Sequence, residues 1–143
     1  MSKVFTLEEA RLLLPVLSAL LRRAKESAVR AGKFDTEMQE LNQKIFLSGG
    51  MHVDVSAAAR RRAERDKAVQ EARSSVEEIE EIGARVGDME IGRLEFPYLM
   101  DGREVLLCWS SSDGEEIRQW REDEEDSPLN NLPGGESRRE RPN

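Results

Sequence analysis

The chain is poor in the residues that most often carry catalysis or staple a fold. Among 143 residues there is one cysteine, one histidine and one tyrosine, and aromatic residues make up only 5%. The lone Cys108 excludes an intrachain disulfide framework and fits a reducing compartment. The lone His52 leaves no second imidazole for a histidine metal site. Its expected place at the tip of a helical hairpin, far from Cys108 and the Trp residues, argues against a Cys/His or Ser/His/Asp arrangement. No apolar run reaches the length of a membrane span, and there is neither a signal-peptide core nor a lipidation motif, so a soluble cytoplasmic protein is expected. A formal net charge of −7 argues against nucleic-acid binding and against a basic membrane-surface role. Nothing in the chain calls for a cofactor or a metal.

What is present is charge and helical periodicity. Charged residues reach 36% against 38% hydrophobic, a balance that favours long solvated helices over a thick core. Thr6 and Glu9 form a capping box before an apolar stripe of Ala10, Leu13/Leu14, Leu17, Leu20/Leu21, Ala24, Ala28 and Ala31. Pro15 lies inside that stripe and predicts a kink. Gly32 predicts a break with a new cap at Asp35, and the stripe then resumes through Met38, Leu41 and Ile45 to end at Ser48-Gly49-Gly50. A third pattern runs from about Asp54 to Val86.

Folding the chain back at Gly49-Gly50 sets residue i opposite a residue near 100 minus i. Apolar positions then meet, and Glu37 and Glu40 fall beside Arg60, Arg61 and Arg62. One register satisfying both stripe and charge predicts a long antiparallel helical hairpin resembling a coiled coil. The competing arrangement is an up-down-up three-helix bundle.

The stretch Gly92–Trp120 holds the only Tyr, the only Cys and both Trp. Asp101-Gly102 is a two-residue type I′ turn signal. It sets Met100 opposite Arg103 and Leu94 opposite Trp109, so that Leu94, Phe96, Tyr98, Val105, Leu107 and Trp109 share one apolar face. Pro97 has no N–H for a ladder, which predicts an edge strand. A short helical turn is expected to follow. The fold class expected is therefore mainly α: the helical hairpin with a small C-terminal two-stranded β-hairpin, in one domain over residues 1–120. Residues 121–143, acidic and then basic with almost nothing apolar, read as a disordered tail.

The segments FTLEEARLLLP at Phe5–Pro15 and GDMEIGRLEFPYLMDGREVLLCWSSSDGEEI at Gly87–Ile117 together resemble a family of small bacterial proteins, the domain of unknown function numbered twenty-two-oh-three. Gly92, Phe96, Pro97, Gly102, Arg103, Val105, Leu107, Cys108, Trp109, Glu115 or Glu116, Ile117 and Trp120 match its pattern. The chain departs from it at Glu95, where the family usually has Asp, and at Arg121, where a His usually follows the Trp. The resemblance implies no assigned activity.

Three roles compete for this sequence. Catalysis has little to stand on, since adjacent Glu115 and Glu116 point about 100° apart on a helix and cannot face each other. A ligand- or peptide-binding site would combine Arg103 as a forked donor with Trp109, Trp120 and Glu116. The doubled apolar positions favour the third role. A stripe containing Leu13, Leu17, Leu20, Leu21, Ile79 and Ile82 is wider than one helical seam needs, and a second copy would cover the surplus. A homodimeric interaction or scaffold module, with room for an unknown protein partner, is the leading expectation.

Overall fold

The computed structural model describes residues 3–47, 49 and 55–133. His52 and the last ten residues lie outside the described residues. Two helices, α1 (Leu7–Leu47) and α2 (Val55–Ile82), are followed by five strands: β1 (Arg85–Asp88), β2 (Arg93–Met100), β3 (Arg103–Ser110), β4 (Gln119–Arg121) and β5 (Asn130–Asn131). The chain divides into two compact units, one built from the segment up to Arg22 together with everything from Val76 on, the other from Arg23–Ser75.

The Arg23–Ser75 unit is a pair of antiparallel helices. Arg30 pairs with Glu71 and Arg65 with Asp35, the latter at 2.9 Å, which is the register predicted by folding the chain at residues 49–50. Its seam is made of small side chains, with Ala24, Ser27, Ala31, Ala68 and Ser75 all buried. Side chains this short let two backbones approach closely. Ser27 takes the seam position expected of Ala28, which faces solvent. Helix α1 also runs unbroken through Gly32, where a break was predicted. The exposed Gly32 costs a helix interior only about 1 kcal/mol, and the Thr36 hydroxyl donates to its carbonyl at 3.1 Å.

The other unit is where the expected fold class fails. The C-terminal element is not a two-stranded hairpin but a five-stranded antiparallel sheet in the order β1-β2-β3-β4-β5. The β2–β3 hairpin itself has the predicted register, from Met100↔Arg103 to Leu94↔Trp109. Its turn residues Asp101 and Gly102 take φ of 52° and 80°, as a type I′ turn requires. Three short strands were missed. β1 lies where the helical pattern was extended to Val86; α2 stops at Ile82, and Gly83 follows at φ 112°. The expected helical turn follows the hairpin as a 3-10 turn at Ser111–Asp113, but β4 and β5 then continue the sheet into the first part of the expected tail. Residues 121–133 are thus integrated in the fold, and Leu132, 7% exposed, belongs to the core.

Pro97 sits in the interior strand β2, not on an edge. Its missing N–H costs nothing because β1 pairs only as far as Glu95. The Pro97 carbonyl on that same side accepts from Phe5 N–H at 2.8 Å.

The core of this unit lies on one face of the sheet. Phe96, Leu107, Leu94 and Trp109 pack with Leu14, Leu17 and Leu21 of α1 and Ile79 of α2. Phe5 locks the chain start onto the core through an edge contact to Phe96, with centroids 5.4 Å apart. Side chains of this size each contribute roughly 1.5–3 kcal/mol when buried, so a thin core rests on few residues. The capping box forms as predicted, with Glu9 N–H donating to the Thr6 hydroxyl at 3.0 Å and Thr6 N–H to the Glu9 carboxylate at 2.9 Å. The Thr6 backbone bond holds the Glu9 carboxyl below its usual range.

Candidate functional site

Strand alternation puts the chemistry on the opposite face of the sheet. Arg93, Glu95, Cys108 and Arg121 are at positions of one parity on neighbouring strands, brought together by the pairs Glu95↔Cys108 and Leu106↔Arg121. Arg85 reaches the same face through its pairing with Glu95. A polar cluster results, at a depth where charge normally costs several kcal/mol per ion unless it is paired.

Glu95 is its centre, 1% exposed. Arg121 grips its carboxylate with a fork, Nε to Oε2 at 2.8 Å and Nη2 to Oε1 at 3.1 Å. Arg85 Nε adds a third bond to Oε1 at 3.3 Å. The planar guanidinium matches the carboxylate geometry, and such charge-assisted pairs are about twice as strong as neutral ones. The same two arginines tie the chain that follows β4 to the sheet. Arg85 bonds Asp123, and Arg121 Nη1 donates to the carbonyls of Glu122 at 3.1 Å and Glu124 at 3.0 Å. The Arg121 pKa is raised chiefly by its bond to Glu95. For Arg85 burial works to lower it, and the bonds to Asp123 and Glu95 outweigh that and raise it.

Cys108 lies against this cluster. Its thiol finds the Leu106 carbonyl at 3.7 Å and Glu95 Oε2 at 4.0 Å. Burial, and then the negative charge of Glu95, push the thiol up to about 11, so at neutral pH it is a protonated, weak nucleophile. Gly87, at the bulge of β1, closes over the carboxylate. A Cβ there would stand 2.7 Å from Glu95 Oε2, too close for any side chain. Both Glu95 oxygens are thus engaged by arginine, and the Cys108 thiol packs beside them. No group of three or more His, Cys, Asp or Glu among the described residues is placed to hold a metal ion.

The residues singled out from sequence are distributed differently. Arg103 and Trp120 do meet, the guanidinium carbon standing 5.9 Å from the ring centroid, and Arg103 also pairs with Glu122 at 2.8 Å. Trp109 is a core residue whose indole N–H donates to the Gly114 carbonyl at 2.9 Å. Glu116 pairs with Arg118 at 3.1 Å on an exposed loop. Of the residues expected to self-associate, Leu17, Leu21 and Ile79 are fully buried in the unit's own core, while Leu13, Leu20 and Ile82 flank it half-buried. The large apolar side chains of α1 that remain exposed in this unit are Leu12 at 76% and Val16 at 54%.

Sequence reasoning missed the Glu95 cluster because Glu95 and Arg121 lie 26 residues apart and only the sheet joins them. One signal was available. The two positions at which the chain departs from the resembled pattern, Glu95 and Arg121, are the two that form the fork.

No helix among the described residues is long and apolar enough to cross a membrane. Neither a curated protein nor a solved structure matches the chain. A family model described as an uncharacterized conserved protein (DUF2203) matches residues 3–126, and the chain belongs to that family.

Proposed function

We propose that this protein is a non-catalytic interaction module that self-associates through the outer face of the first turns of α1. The observation that carries this reading is the exposure of Leu12 and Val16, 76% and 54%. They stand one helical turn apart in a unit that has few large side chains to spare. The half-buried Leu13 and Leu20 widen the same surface. The protonated Cys108 and the fully engaged Glu95 support a non-catalytic role.

Burying a Leu or Val contributes roughly 1.5–3 kcal/mol, against an association cost of about 4–15 kcal/mol. Two such residues from each copy therefore support a weak, concentration-dependent dimer. Light scattering after size exclusion, run across a wide concentration range, should show the mass rising toward twice the monomer. The double variant Leu12→Glu, Val16→Glu should abolish that rise with the thermal midpoint unchanged, because both side chains are solvent-facing in the monomer. A monomeric mass at every concentration would sink the reading.

A further inference from the structure

Beside the Glu95 fork lies a cavity of about 390 Å³ lined by Gly87, Arg93, Arg121 and the run Asp123–Ser127, a size at which small-molecule sites are found. Its charges divide into two classes. Arg121 is spent on Glu95 and on two backbone carbonyls, and Asp123 is spent on Arg85. Arg93 has no hydrogen-bond or ion-pair partner among the described residues, and neither do the side chains of Glu124, Glu125 and Asp126. Among the described arginines of the sheet segment, from β1 onward, Arg85, Arg103, Arg118 and Arg121 all pair with carboxylates and Arg93 does not. It projects from β2 on the polar face, half-buried. A guanidinium left unpaired beside three unpaired carboxylates means that the cavity keeps donors and acceptors apart instead of neutralising them internally.

We propose that this cavity binds a small basic zwitterion of the amino-acid class. Arg93 takes its carboxylate, with the fork geometry that guanidinium and carboxylate share, and the Glu124–Asp126 run takes its cationic groups. The charge pattern selects against the alternatives. A diamine or polyamine would satisfy the acids and set a cation against Arg93. A dicarboxylate or phosphate would satisfy Arg93 and meet three carboxylates. A molecule with one carboxylate and two cationic groups, such as arginine or lysine, matches both ends. The same chemistry occurs in the free amino acid and in the C-terminal residue of a basic peptide.

Amide chemical shifts of the full chain, titrated with L-arginine, with agmatine (arginine without its carboxylate) and with the tripeptide Gly-Gly-Arg, test this directly. L-arginine or the tripeptide should give saturable shifts at Gly87, Arg93 and residues 123–127, and whichever binds tighter names the source. Agmatine should bind at least about tenfold more weakly, the loss expected for one charge-assisted contact. Arg93→Gln should weaken L-arginine and the tripeptide at least about tenfold, leave agmatine no weaker because it removes a like charge, and leave the thermal midpoint unchanged, since Arg93 holds no ion-pair partner. Saturation with none of the three up to about 10 mM, where affinity is too weak to be specific, would overturn the proposal. So would equal binding of arginine and agmatine, or undiminished binding by Arg93→Gln.

Discussion

Arg30–Glu71 in the helical unit and Arg121–Glu95 in the sheet unit join the same two residue types, and they are not equivalent. The side chains of the first pair are 50% and 41% exposed, those of the second 18% and 2%. In water the first pair trades hydration for a modest attraction and contributes about 1 kcal/mol or less. The second has given up its hydration, so what counts is that neither charge is ever left alone. Backbone context makes the difference. Arg30 and Glu71 bridge two paired helices on a solvated flank, whereas strand pairing sets Glu95 and Arg121 side by side within the sheet. The pair on the helices tunes stability; the pair in the sheet is a condition of the fold.

The sharpest way to break that contrast is Glu95→Ala. It strands Arg121, with Arg85 beside it, and should destabilise the protein by about 3 kcal/mol, the low end for a broken buried pair because Arg85 is 42% exposed and can rehydrate. Urea unfolding measures this. A loss no larger than that of a surface pair would mean the cluster is hydrated in solution.

An intermediate effect comes from the thiol in the same cluster. Its folded pKa is raised above the ordinary value of 9.0 to about 11, so between those values the unfolded chain releases a proton that the native protein keeps. Cys108 stability is therefore fully present below about pH 9 and is lost as pH rises toward 11. Urea midpoints of the wild type should fall across that window more steeply than those of Cys108→Ala. Parallel curves would show a hydrated thiol.

The smallest effect sharpens the other side. Arg30→Ala should cost under about 1 kcal/mol and less still at high salt, where exposed charges are screened. A loss that matched Glu95→Ala, or that persisted in molar salt, would dissolve the distinction between the two units.

Much of the helical architecture was legible because it is local. The capping box at Thr6 and Glu9, the seam around Ala24 and Ala31, and the antiparallel register tested by Arg65 and Asp35 all follow from spacing of 3.6 residues. Asp101-Gly102 was legible for the same reason, since two residues with positive φ dictate the pairing of sixteen neighbours. β1, β4 and β5 were not legible. They are 4, 3 and 2 residues long, too short for an alternating pattern, and Val86 continues the helical spacing by coincidence. Acidic residues around Arg121 look like a tail until Leu132 is seen in the core. In the candidate cavity, Arg93 is an ordinary strand residue in sequence; its lack of a partner is a property of three dimensions.

By itself the sequence determined the helical pair, the central hairpin with its register, and the division of that hairpin into an apolar and a mixed face. These depend on backbone periodicity and turn chemistry, which act over a few residues. Only the tertiary structure decided that Glu95, Leu106 and Cys108 on the mixed face are buried. It decided too that Glu95 is shared by arginines 10 and 26 residues away, that Leu17 and Leu21 serve the core while Leu12 and Val16 do not, and that Arg93 stands unpaired beside a cavity. Contacts between strands have no fixed spacing along the chain, and whether a charge is paired depends on which strands become neighbours.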